Sequence, residues 1–199
     1  MSKLRVRVLS IALLAIASVV GLQLREMVAL EAKIPPYIKE LIMSKYDSGL
    51  VWRAYSSRGP DSFVAVEFRS APESPRTNVD VYRISGSVTS PRLERCRLYY
   101  WSGAAFEAAG GYGEFDREFM PHRQYAAGVA LDHRVVLISA STEDGRTTSC
   151  VPFDGYWWMT MPVDPADYSR DQWVRVTAHD SEGRTLYECI PMYPKLGRR

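Results

Sequence analysis

The side chains best able to do covalent or metal chemistry are three histidines, His122, His133 and His179, and three cysteines, Cys96, Cys150 and Cys189. Two of the histidines neighbour an aspartate, as Asp132-His133 and His179-Asp180. Adjacent residues of a strand point to opposite faces, so these neighbours do not pair with each other there. Ser85 and Ser102 are candidate nucleophiles by residue type, but no Gly-x-Ser-x-Gly elbow surrounds either. No His-x-x-x-His or Cys-x-x-Cys spacing offers a metal site. There is no phosphate-binding loop and no dinucleotide fingerprint. Gly110-Gly111-Tyr112-Gly113 reads as a flexible loop, since no phosphate-binding helix follows it. The expectation is a protein with no catalytic residues, metal or cofactor, and a hydrolase built on one of the histidines is the least favoured reading.

Binding residues are sought among the aromatics. The stretch from Ser102 to Gly128 breaks the strand rhythm with small residues, then carries Phe106, Tyr112, Phe115, Phe119, Met120 and Tyr125. Long loops on a rigid scaffold are where partner contacts concentrate, and this one is the expected partner-binding surface. Capping of one end of the domain by the same rings is the competing account. Two further clusters, Tyr99-Tyr100-Trp101 and Tyr156-Trp157-Trp158, place alternate rings on opposite faces of a strand. At least one ring of each is expected to face outward, which adds Trp101 and Trp157 to the candidates. Packing under a loop or against a helix near residues 36–46 is the alternative.

Cys150 and Cys189 each stand near the end of a hairpin's return strand, before Val-Pro and Ile-Pro. That correspondence makes them the expected disulfide, on the oxidising side of a membrane. Cys96 alternates with Leu98 and Tyr100, so it is expected to be a buried, inert thiol.

The elements that must position these residues follow from charge and hydropathy. The chain of 199 residues has 25 Lys/Arg against 23 Asp/Glu, a net charge of +2. Residues 1–45 hold seven Lys/Arg and three Glu, leaving eighteen and twenty to the remainder. The body therefore lacks the basic stripe of a nucleic-acid binder, and no nucleic-acid partner is expected. Lys3, Arg5 and Arg7 precede an uncharged run from Val8 to Leu24, about 26 Å if helical. That suffices for a single membrane span. Ala15-Ile16-Ala17 also fits a signal-peptidase site, but the apolar run continues past it, which favours an uncleaved anchor. The charge bias puts the amino terminus in the cytoplasm and the rest outside.

Three regions result: residues 1–24 as cytoplasmic tip and transmembrane helix, 25–48 as a helical stalk, and 49–199 as an extracytoplasmic β-rich domain. Pro35-Pro36 stops the first helix, and a short amphipathic helix can start at Pro36. From Leu50 onward, strands are predicted near 50–57, 62–69, 78–88, 93–101, 129–141, 146–151, 156–161, 173–179 and 184–190. Asp144-Gly145 suggests a two-residue type I′ turn, and Asp180 to Arg184 a three-residue loop with Gly183 in the left-handed position. Gly-Arg-Thr recurs at 145–147 and 183–185, as if two hairpins used one solution.

The predicted fold is an all-β antiparallel sandwich preceded by the transmembrane helix and the short amphipathic helix. The terminal hairpin, WVRVTAHDSEGRTLYE, resembles the last hairpin of immunoglobulin-like or fibronectin-like modules, over about sixteen residues and without a catalytic motif. The expected function is a membrane-anchored binding or scaffolding module of a bacterial cell envelope, with a protein partner there. The alternative is an accessory subunit of a larger membrane complex, held by its single span.

Overall fold

The computed structural model describes residues 3–46, 49–69, 77–98, 106–112, 123–142, 145–162 and 174–189. These form two helices and eleven strands. The first helix, α1 (Lys3–Lys33), ends where Pro35 and Pro36 remove amide donors, and Pro36 opens the second, α2 (Pro36–Met43). The strands are β1 (Val51–Arg58), β2 (Asp61–Arg69), β3 (Thr77–Ser87), β4 (Ser90–Leu98), β5 (Phe106–Tyr112) and β6 (Arg123–Ala130). They continue with β7 (Leu137–Thr142), β8 (Thr147–Cys150), β9 (Tyr156–Pro162), β10 (Val174–His179) and β11 (Thr185–Cys189).

All strand pairings are antiparallel, in three sheets ordered β1-β2-β3-β4, β5-β6-β9 and β11-β10-β7-β8. The protein is mostly β, as expected. It is layered more deeply than a two-sheet sandwich. Ile34, Ile38 and Ile42 pack on one face of the first sheet, against Trp52, Val64, Val66, Tyr82 and Ile84. The opposite face, with Ala54, Ala65, Val79, Val81, Cys96 and Leu98, packs on Tyr125, Ala127, Val129 and Trp158 of the second sheet. The second sheet's far face, with Ala126, Ala130, Trp157 and Met159, meets Ile138, Ala140, Val176 and Ala178 of the third. The order is helix, sheet, sheet, sheet, and the middle sheet is covered on both sides.

That depth corrects three expectations. The segment read as one long loop contains β5 and most of β6. Its alanines and glycines are weak strand formers, but they fit the middle layer because β9 is bulky. Ala127 stands opposite Trp158, Gly128 opposite Trp157 and Ala126 opposite Met159. The single strand predicted near 129–141 is two, the end of β6 and then β7, separated by the 131–136 loop. The loop at 143–145 has three residues instead of two: Thr142 donates its amide to the Arg146 carbonyl, and Gly145 sits at φ 82°. The 181–183 loop is built the same way, closed by Asp180 and Arg184 with Gly183 at φ 78°. The repeated Gly-Arg-Thr thus marks one turn solution used twice.

Candidate functional site

The most specific side-chain arrangement lies where α2 meets the first sheet. Asp80 and Tyr82 are two apart on β3 and share a face, which α2 covers. Asp80 is fully buried. Arg97, on the neighbouring strand β4, grips it with two bonds of 2.7 Å from Nε and one terminal nitrogen. Tyr46, three residues past the end of α2, donates its hydroxyl to Asp80 at 2.6 Å and lies 2.7 Å from the Tyr82 hydroxyl. Its ring packs on Phe68 at 4.8 Å, and the Arg97 guanidinium stacks over Phe68 at 4.7 Å. Burial, and then the Asp80 charge, push the Tyr46 hydroxyl far above its ordinary range. The same causes push Tyr82 up to about 12. Both phenols are thus held neutral, as donors and acceptors in a paired network. It fixes the residue that follows α2 to the first sheet.

Sequence reading missed this seam. Asp80 and Tyr82 alternate with Val79 and Val81, and the polar side of such a strand reads as solvent-facing. The available signal was Asp-x-Tyr on a strand beside an amphipathic helix that needs a face to cover.

The aromatic candidates separate into two groups. Trp157 is 0% and Tyr125 1% exposed, so neither presents a ring to solvent. Tyr156 and Trp158 are buried too, and the expectation of one outward ring in this cluster fails, because β9 lies in the covered middle sheet. Trp158 stacks on Tyr125, whose hydroxyl donates to the Arg95 carbonyl. Phe106 is half-buried at the start of β5, stacked 6.2 Å from Trp157 and 5.5 Å from Tyr187. The backbone of Tyr112 ends β5. Trp101, Phe115 and Phe119 lie outside the described residues, as do Tyr99 and Tyr100.

The expected Cys150–Cys189 disulfide is not formed. Cys150 ends β8 and Cys189 ends β11, the two edges of the third sheet. Three strand spacings separate the edges, roughly 14 Å, against the limit of about 7 Å between bridged Cα atoms. Both side chains pack on the core between the second and third sheets. Burial pushes the Cys150 thiol up to about 12. Cys96 is buried as expected, and burial raises its thiol further.

His179 is bracketed by hydroxyls, with Thr177 at 2.9 Å from Nε2 and Thr185 at 3.4 Å from Nδ1. Asp132 accepts from Arg134 and from the Tyr187 hydroxyl at 2.8 Å, and the Arg134 bonds foremost hold its carboxyl below the ordinary range. His133 is exposed, and His122 lies outside the described residues. No cluster of three or more His, Cys, Asp or Glu side chains occurs among the described residues.

Every described side chain of α1 from Ala15 to Ala29 is exposed. Ile16, Val19, Leu22 and Leu24 are 56–61% exposed. At 100° per residue they point in different directions around the helix. Among the described residues no helix is long and apolar enough to cross a membrane. Comparison with family models, curated proteins and solved structures found no match.

Proposed function

We propose that this chain is a membrane-anchored binding or scaffolding module of a bacterial cell envelope, with its β domain on the extracytoplasmic side. The observation that carries the reading is α1. Apolar helix surface belongs in a protein core or in lipid, and the described side chains of α1 from Ala15 to Leu24 are exposed. The sequence ground for a span and for its direction is the charge-free run from Val8 to Leu24 behind Lys3, Arg5 and Arg7. The Tyr46–Asp80–Arg97 seam then holds the β domain on its stalk. Trp101, Tyr112, Phe115 and Phe119 are the proposed partner contacts, on the sequence grounds given above.

Reporter fusions test the topology. Alkaline phosphatase joined after Arg199 is expected to be active, and a cytoplasmic fluorescent reporter at the same position silent. The opposite pair of results would invert the orientation and remove the envelope assignment.

A further inference from the structure

The segment 34–46, which contains α2, is attached to the first sheet in a way no described strand is. Its described backbone hydrogen bonds all close within residues 31–46. Its described ion pair, Lys39–Glu31, and the Ser44 hydroxyl bond to the Leu41 carbonyl close there too. Two described hydrogen bonds cross from the segment to the sheet, and both belong to the Tyr46 hydroxyl, on Asp80 and Tyr82. Each described strand, by contrast, is held by a ladder of backbone bonds to at least one neighbour. The segment can therefore leave the sheet without breaking a ladder.

Apart from Tyr46, the attachment is apolar: Ile34, Ile38 and Ile42 pack on Trp52, Val64, Val66 and Ile84. Two terms oppose that contact. A helix of eight residues does not persist alone in water, and no side chain caps the start of α2, so release frees the conformational entropy of the whole segment at once. Asp80 is fully buried beneath the segment, and release returns water to it, which recovers part of its desolvation penalty. The seam between the first and second sheets has neither term. Its strands stay in their ladders, and its contacts are hydrocarbon and rings.

We propose that the segment 34–46 is a releasable clasp, which leaves and rejoins the first sheet as one unit while the three sheets stay folded, and that Tyr46 is its catch. On the anchored reading of α1, release lengthens the connection between the span and the β domain. Residues 34–46 reach about 43 Å when extended, against about 20 Å as helix. The release itself does not depend on that reading.

Hydrogen exchange on the full chain in detergent tests the clasp, read by mass spectrometry of peptides from 36–46, β2, β3 and β6. The readout is the same whether or not α1 crosses a membrane, and the reporter fusions alone bear on the anchor. After correction for intrinsic rates, the amides of 40–46 are expected to exchange at one common rate, about tenfold or more faster than the buried amides of β2 and β3. Tyr46→Phe keeps the ring on Phe68 and removes both hydroxyl bonds. It is expected to speed exchange of 40–46 by about tenfold and to leave β2, β3 and β6 unchanged. Exchange of 40–46 at the rate of β2 and β3 in the parent chain would overturn release. Rates graded from one end of the segment would show fraying and overturn release as a unit. A Tyr46→Phe chain with no faster exchange in 40–46, or with the sheets accelerated equally, would overturn Tyr46 as the catch.

Discussion

The two faces of the first sheet are sealed in different ways. Towards the second sheet, Val79, Val81, Cys96 and Leu98 meet Tyr125, Val129 and Trp158 with hydrocarbon and rings. Towards α2, the packing of Ile34, Ile38 and Ile42 is interrupted by a buried carboxylate, a guanidinium and two phenols. A buried ion pair adds little net stability over a hydrophobic substitute, because desolvation offsets its Coulomb attraction. Its directional bonds do select one position of Tyr46, which apolar contact alone leaves adjustable. The sheet–sheet seam therefore carries the stability, and the helix–sheet seam sets how α2 meets the first sheet.

The comparison is tested first at its strongest point. Trp158→Ala is expected to cost about 3–5 kcal/mol by chemical unfolding, since it empties the space between Tyr125 and the first sheet. A loss under about 1 kcal/mol would show that this seam is not the main source of stability. The polar seam should respond asymmetrically. Arg97→Ala strands a carboxylate that is 0% exposed and is expected to cost about 3 kcal/mol or more. Asp80→Ala leaves an arginine side chain that is 24% exposed and can reach water, so it costs less. Equal losses would contradict the account of Asp80 as the fully desolvated partner.

Alkali acts on both seams, because burial raises Tyr82 in one and Tyr156 in the other to about 12. Tyr82 is raised from 10.0 to about 12, so its neutral form is favoured in the folded state. The associated stability is fully present below pH 10 and is lost as pH rises towards 12, amounting to about 2–3 kcal/mol. Unfolding measured across that window is expected to fall steeply in the parent chain and less steeply in Tyr82→Phe. The smallest effect belongs to the outer face of the third sheet. Arg175 and Glu188 form an ion pair at 3.4 Å with side chains 63% and 52% exposed. Arg175→Ala is expected to change stability by about 0.5 kcal/mol or less.

Strand positions were readable where the residues themselves favour strands. Phe63 to Phe68 and Val79 to Tyr82 alternate or branch at Cβ, and β2 and β3 begin within one residue of where that pattern puts them. The break at Pro35-Pro36 and the left-handed glycine of the 181–183 loop were equally local, because one residue's missing amide or missing Cβ decides them. The Ala-Ala-Gly-Gly of β5 was not readable. Its strand conformation comes from pairing with β6, where Ala108, Ala109, Gly110 and Gly111 stand opposite Gly128, Ala127, Ala126 and Tyr125.

What the sequence alone determined is therefore the local chemistry: an uncharged apolar run behind three cations, a proline stop, antiparallel strands and glycine turns. The tertiary structure decided which faces are covered. A strand carries the same alternation whether one side or both are packed, so only the stacking of three sheets and α2 could bury Asp80, enclose Trp157 and put Cys150 and Cys189 on opposite edges. Burial depends on what the rest of the chain places on each face, and pairwise distance depends on the order of strands within a sheet. Neither quantity is written in the spacing of residues along one strand.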